Sequence, residues 1–177
     1  NLHGELLSHP EFGTATIVLD NGKALDIVSA RREYYEYPAA LPMVEKSSIW
    51  NDLFRRDFTI NCMAIQINCK NFAMLIDYFG GLDDLFDKKI RILYNMSFIE
   101  DPTRIFRAIR FASRFNFDIE EETSNFMIKA INDNMLLKVT DDRIREELIH
   151  IIEEDKMSES IALMKSYNVF EALYPNL

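Results

Sequence analysis

The stretch Leu53-Phe54-Arg55-Arg56-Asp57-Phe58-Thr59-Ile60-Asn61-Cys62-Met63-Ala64-Ile65 constrains the fold more than any other part of the chain. Arg55, Arg56 and Asp57 abut Phe58, Ile60, Met63 and Ile65, an apolar run with the character of a core segment. Charges tolerate a place beside a dry interior only when an opposite charge or a polar ligand meets them. Two readings follow from the residues. The pair of arginines stands at the mouth of a polyanion site, held on a rigid element. Alternatively, it is an exposed helix end carrying a local Arg–Asp pair.

A chain of 177 residues is one large domain or two small ones, and 48% hydrophobic residues with 12% aromatics support a real core rather than disorder. No apolar run approaches the ~20 residues a membrane helix requires, so no membrane partner is expected. Cys62 and Cys69 form no CxxC pair and are expected to be reduced core thiols of a cytoplasmic protein. His3, His9 and His150 lack metal-ligand spacing, so no zinc site is expected. The net charge of −9 argues against a surface that coats nucleic acid, yet leaves room for a local basic groove. The chain opens at Asn1 and its first residues read like the middle of a domain, so it is expected to be a piece of something longer.

Phe12 to Leu19 and Ala24 to Ala30 are rich in Thr, Ile and Val, and Asp20-Asn21-Gly22 between them predicts a hairpin. Asp26 interrupts the second strand; alternation puts Asp26 and Val28 on one face and Leu25 and Ile27 on the other. Such a carboxylate is paired, functional, or simply facing solvent. Arg31 to Lys46, with Pro38, Pro42 and three tyrosines, is expected to be a loop. Ser47 or Ser48 then caps a short helix through Trp50, Leu53 and Phe54. Met63–Ile67 and Phe72–Tyr78 read as a strand pair, Leu82–Phe86 as a helical turn or two, and Ile90–Leu93 as a last short strand. From Ser97 onward no glycine occurs, and the apolar residues take helical spacing. Helices are expected over 101–115, 120–133, 140–154, 157–166 and 168–173. The fold class is therefore α+β, with residues 1–96 mixed and 97–177 all-helical.

The first of these helices carries Glu100-Asp101-Pro102-Thr103-Arg104 and then Arg107, Arg110 and Arg114. At about 100° per residue the four arginines share one arc, a pattern suited to planar bidentate recognition. The same stripe would also fit a solvated face laced to Glu120-Glu121-Glu122. Asp101 offers acceptors and Arg104 a fork of donors, a unit able to read a nucleobase edge or to close on itself as a salt bridge.

Arg55-Arg56-Asp57-Phe58-Thr59-Ile60-Asn61, Asp77 with Gly80-Gly81-Leu82-Asp83-Asp84-Leu85, Glu100-Asp101-Pro102-Thr103-Arg104, and Arg143-Ile144-Arg145-Glu146-Glu147-Leu148 together resemble, in order and spacing, the motifs of the CCA-adding tRNA nucleotidyltransferase and bacterial poly(A) polymerase family (class II). The resemblance implies part of a polymerase-β-like nucleotidyltransferase head (1–96) followed by a helical neck (97–177). It implies a tRNA 3′ end, CTP and ATP as partners, and pyrophosphate release with Mg2+ as cofactor. Arg56 would meet the triphosphate and Asp57 the sugar, with Asn61 beside them. Asp101 and Arg104 would template the base, Glu100 would orient them, and Arg107 and Arg110 would face the nucleotide. Asp26 would be the third acidic residue of the catalytic metal site. The family's Asp-x-Asp metal pair is absent and is expected before residue 1, so this chain alone is expected to be inactive. The loop Tyr34-Tyr35-Glu36-Tyr37-Pro38 lacks an Asp-Gly-Arg stretch, which leaves CCA, CC-only, A-only or poly(A) addition open. A catalytically silent nucleotide- or RNA-binding module, or a helical domain docking a protein through its arginine stripe, are the readings from other classes.

Overall fold

The computed structural model describes residues 4–9 and 13–174, so Asn1, His3 and Phe12 lie outside the described residues. An antiparallel meander comes first: β1 (Gly4–His9), β2 (Thr14–Leu19) and β3 (Ala24–Val28), in the order β1-β2-β3. Only β2 and β3 were legible in the sequence. They turn through Asp20-Asn21-Gly22, where the Leu19 amide donates to Lys23 O at 2.8 Å and Gly22 alone takes a left-handed φ of 79°. This is a loop that ends on a left-handed glycine rather than one with both central residues left-handed.

The segment expected to be a loop contains a second hairpin, β4 (Arg31–Tyr34) paired with β5 (Met43–Lys46). Its strands are held by polar partners, which is why hydrophobic pattern did not reveal them. Arg32 sits opposite Glu45 and bonds its carboxylate at 3.0 Å, while Glu33 turns inward to Arg55 at 2.8 Å. The loop reading survives only for the connection between the strands. There Ala39 adopts φ 64° and donates its amide to Glu100 O at 3.1 Å.

Ser48 caps α1 (Ile49–Phe54), which buries Leu53 and leads into Arg55-Arg56-Asp57. A short 3-10 turn over Thr59–Asn61 follows, then β6 (Met63–Ile65) antiparallel to β7 (Leu75–Asp77). Asp77 accepts three backbone amides, from Phe79, Gly81 and Leu82, and so closes the start of α2 (Gly81–Phe86). Gly81 is required at that point, because a Cβ would overlap the Thr59 carbonyl. Thr59 and α2 are joined again by the Thr59 hydroxyl, which donates to Asp84 at 2.7 Å. The glycine-containing motif is therefore the floor beneath Arg55-Arg56-Asp57.

The strand expected over Ile90–Leu93 is shorter, β8 (Lys89–Ile90), and it pairs in parallel with β9 (Asp118–Ile119) across the expected boundary near residue 96. Phe58 bridges Ile92 in the same region. The helix expected over 101–115 is divided: α3 (Ser97–Glu100) ends at Asp101, and α4 begins at Arg104 (Arg104–Phe115). Pro102 forces the residue before it out of helical geometry, and Asp101 is extended at φ −133°, ψ 91°. The remaining helices fall close to expectation: α5 (Glu121–Asn132), α6 (Asp141–Ile152), α7 (Met157–Ser166) and α8 (Val169–Leu173).

One apolar cluster runs from Phe58, Ile90 and Ile92 through α4 to α5–α8. Within α4, Ile105, Phe106, Ala108 and Ile109 are all fully buried. The core thus lies under the helical part and reaches the Arg-Arg-Asp segment through Phe58. Cys62 is buried, but Cys69 is exposed and is not the core thiol expected of it. No helix among the described residues is long and apolar enough to cross a membrane.

Candidate functional site

An open cleft of about 680 Å³ lies between the Arg55–Asn61 segment, the α3–α4 break and α6. That volume is in the range of small-molecule sites. Its walls are mostly charged, with Arg55, Arg56, Arg104, Arg107 and Arg143 set against Glu33, Asp57, Asp101, Glu146 and Glu147.

Asp57 is the innermost carboxylate. Its Oδ1 accepts the Phe58 amide at 2.9 Å and the Asn61 side chain at 3.0 Å, and its Oδ2 accepts Arg107 Nε at 2.8 Å. Burial pushes its pKa up, but the Arg107 charge and these bonds outweigh burial and hold it below the ordinary carboxylate value. Arg55 is tied to Glu33 and Asp52 and acts as wall. Arg56 is the looser cation. It reaches Asn61 O at 3.2 Å and Asp52 at 3.4 Å, with 42% of its side chain exposed.

Pro102 creates the second edge of the cleft by breaking the helix. Asp101 Oδ1 accepts Thr103 N at 3.2 Å, Thr103 Oγ1 at 2.6 Å and Arg143 Nη2 at 2.8 Å. Its partners among the described residues all fall on Oδ1, and its ion pair is with Arg143 rather than with Arg104. Arg104 is 4% exposed and donates to Ser97 Oγ at 2.7 Å, Tyr94 Oη at 3.4 Å and Arg55 O at 2.9 Å. Those bonds engage Nη1 and one hydrogen of Nη2, so among the described residues Nε–H and the second Nη2 hydrogen remain as donors. Burial lowers the Arg104 pKa, but Tyr94, Tyr35 and Asp101 around it raise it overall, so it stays charged. Glu100 lies behind this edge: the Tyr94 hydroxyl donates to it and also meets Arg104, so Glu100 reaches Arg104 through Tyr94.

The arginine stripe is split in two. Arg104 and Arg107 line the cleft, whereas Arg110 and Arg114 turn to Glu154 at the end of α6, not to Glu120-Glu121-Glu122. Arg110 is itself buried, with its guanidinium 4.8 Å from the Phe111 ring. Asp26 is exposed on β3 and accepts the Thr16 hydroxyl at 2.6 Å; it does not line the cleft. Among the described residues no three His, Cys, Asp or Glu side chains gather as metal ligands, so these residues alone do not fit a Mg2+ centre.

Sequence reasoning placed Arg143 and Glu147 in a family motif without giving either a role, and gave none to Tyr35; the fold brings all three to the cleft, from α6 and from the β4–β5 connection. Arg143 and Glu147 are four residues apart and share a helix face, a spacing visible in the sequence. Nothing local indicated that this face meets Asp101.

Residues 1–91 match the family described as "Poly A polymerase head domain", and residues 116–177 match "Probable RNA and SrmB- binding site of polymerase A". The A-adding tRNA nucleotidyltransferase of Geobacter sulfurreducens is 46% identical over 170 residues, covering 96% of this chain and 19% of that protein. Other relatives are named CC-adding tRNA nucleotidyltransferase and CCA-adding enzyme. A CCA-adding enzyme solved in apo form superimposes with a TM-score of 0.95 at 46% identity, over 99% of this chain and 41% of that one. A tRNA nucleotidyltransferase solved with a primer tRNA and an incoming ATP analogue gives a TM-score of 0.86 at 42% identity, over 96% of this chain and 47% of that one. The chain thus spans less than half the length of the relatives it matches. Motifs, fold and likeness agree, and this chain belongs to the tRNA nucleotidyltransferase and poly(A) polymerase family of enzymes.

Proposed function

We propose that this chain is the nucleotide-selecting part of a template-independent enzyme that extends the 3′ end of tRNA with A from ATP, with C from CTP as the broader substrate class. The observation that carries the reading is the Asp101–Arg104 edge, a carboxylate and a set of spare guanidinium donors held in fixed places at the start of one helix. Adenine and cytosine each present an exocyclic amino donor beside a ring-nitrogen acceptor. Guanine and uracil present a carbonyl acceptor beside an N–H donor. An acidic acceptor next to an arginine donor therefore matches A and C and opposes G and U.

The other cleft residues follow from charge. Arg56, exposed and weakly tied, is suited to a triphosphate oxygen. Asp57, an acceptor kept ionised by Arg107 and Asn61, is suited to sugar hydroxyls. Glu100 fixes Arg104 through Tyr94, and Arg110 supports the cleft wall from behind Phe111. Division into a head over 1–96 and a neck over 97–177 places the base-reading edge at the first turn of the neck. The family resemblance implies metal chemistry with Asp26 as one carboxylate; Asp26 lies off the cleft, and no step is assigned through it. A cytoplasmic location goes with this reading, since Cys62 and Cys69 are both unpaired thiols.

Addition of A is preferred over addition of CC alone because relatives named A-adding reach 46% identity, against 31% for a relative named CC-adding; a solved CCA-adding enzyme is also 46% identical, so the tRNA ends below separate A alone from ordered C, C, A. The test uses the full-length gene product, tRNA transcripts ending before CCA, after C and after CC, and labelled CTP or ATP with Mg2+. A single A on the CC end supports A addition. Ordered C, C, A would make it a CCA-adding enzyme, CC alone a CC-adding one, and long A tails a poly(A) polymerase. Nucleotide binding without incorporation on any end would leave a binding module.

A further inference from the structure

We propose that Glu147 is the positioning residue for Arg107 during nucleotide binding, taking over its guanidinium when the Asp57 carboxylate turns to hydroxyl donors of the incoming nucleotide. The inference rests on the cleft being a nucleotide site, as argued above.

Arg107 stands between two carboxylates. It gives Nε and Nη2 to Asp57, while its Nη1 lies 4.0 Å from Glu147 Oε1 and has no hydrogen-bond partner among the described residues. On the other side, the Glu147 side chain is only 12% exposed, and its Oε2 is buried with no partner among the described residues. A buried carboxylate oxygen without a donor is an uncommon and unfavourable arrangement that calls for an explanation. Burial raises the Glu147 pKa and the nearby charge of Arg107 opposes that rise, as expected for an acid whose cation stands just out of bonding range. The Phe111 ring, 5.7 Å from the Arg107 guanidinium, gives it an apolar face to move along without leaving a cationic site.

The ligand-free cleft is therefore balanced between two states of Arg107. With Asp57 unliganded, Arg107 closes on it and Glu147 is left short of donors. Once a sugar hydroxyl occupies Asp57, Arg107 has lost its acceptor, and the nearest alternative is the orphaned carboxylate of Glu147. A guanidinium held there remains inside the cleft, so its charge stays available to the polyanion.

The test measures ATP binding by calorimetry, in the presence of Mg2+, on full-length wild type, Glu147→Ala, Glu147→Gln, Arg107→Ala and the double alanine variant. Glu147→Ala is expected to weaken ATP binding about tenfold, and Glu147→Gln, which keeps an acceptor oxygen, by no more than about threefold. The double variant is expected to bind within about twofold of Arg107→Ala alone, because Glu147 acts only through Arg107. Thermal unfolding of Glu147→Ala should match wild type. Wild-type ATP affinity in Glu147→Ala, or effects that multiply in the double variant, would overturn the proposal. A wild-type protein that neither binds ATP nor extends tRNA would instead overturn the nucleotidyltransferase reading, and this inference with it.

Discussion

Arg143 on α6 donates Nη2 to Asp101 Oδ1 at 2.8 Å and Nη1 to the carbonyl of Ala39 at 3.1 Å. One side chain thus ties the turn at Asp101 to the β4–β5 connection, more than 100 residues earlier in the chain than Arg143 itself. The Ala39 amide completes the tie by donating to Glu100 O. Asp101 is held in place from outside its own helix.

Arg143→Ala should therefore loosen Asp101. A charge-assisted bond of this kind is worth about 1.5–3 kcal/mol, so kcat/KM for ATP on a tRNA ending in CC is expected to fall about tenfold or more. The unfolding midpoint should fall by several degrees as well, at about 2–4 °C per kcal/mol, so the kinetics are read well below it. Steady-state kinetics on purified variants decide it, and an unchanged kcat/KM would show that Asp101 is fixed by Thr103 alone.

Gly81→Ala places a methyl against the Thr59 carbonyl, a backbone group that cannot swing aside, and close to the Met63 side chain. Overpacking of this sort costs about 1–3 kcal/mol. Differential scanning calorimetry should show a midpoint lowered by several degrees, at about 2–4 °C per kcal/mol for a chain of this size. A midpoint equal to wild type would mean that α2 can shift away from Thr59.

Asp57 provides a pH test. Its folded pKa lies below the unfolded one, so the stability it contributes is complete above about pH 4 and is lost as pH falls through the folded value. Asp57→Asn should be less stable than wild type in urea at pH 7, and the gap should narrow as the pH drops below 4. A gap that is the same at both pH values would contradict the assignment.

The two cysteines should differ in reactivity. Burial pushes the Cys62 thiol up to about 12, and its Sγ is 3.0 Å from the Phe58 carbonyl, whereas Cys69 is exposed. Iodoacetamide at pH 8 is expected to label Cys69 alone in the native protein and both cysteines in urea, as read by peptide mass spectrometry. Native labelling at Cys62 would show that the segment below Asp57 opens readily.

Local chemistry carried most of what was legible. Asn21-Gly22 announced the first hairpin, and the absence of glycine after Gly81 announced the helices. The motif residues led to one cleft for Arg56, Asp57, Asn61, Asp101, Arg104 and Arg107. What stayed hidden depends on partners distant in sequence. β4 and β5 are held by Arg32–Glu45 and Glu33–Arg55 rather than by alternating apolar residues, so they read as loop. β8 and β9 are two residues each and pair only because α4 brings them together. The break at Asp101-Pro102 was visible as a proline but was placed inside a helix rather than between two. Arg110 shares the helical stripe of Arg104 and Arg107, yet Glu154 from the end of α6 claims it, and periodicity within one helix cannot reveal a partner on another.

The central claim is that Asp101 and Arg104 select the base. Its most direct measurement is the ratio of kcat/KM for ATP to that for GTP on a tRNA ending in CC, in full-length wild type and in Asp101→Ala. The account predicts that the ratio falls by about 10–100-fold in the variant, the discrimination carried by a good bidentate pair. A rate that falls equally for both nucleotides, leaving the ratio unchanged, would contradict it.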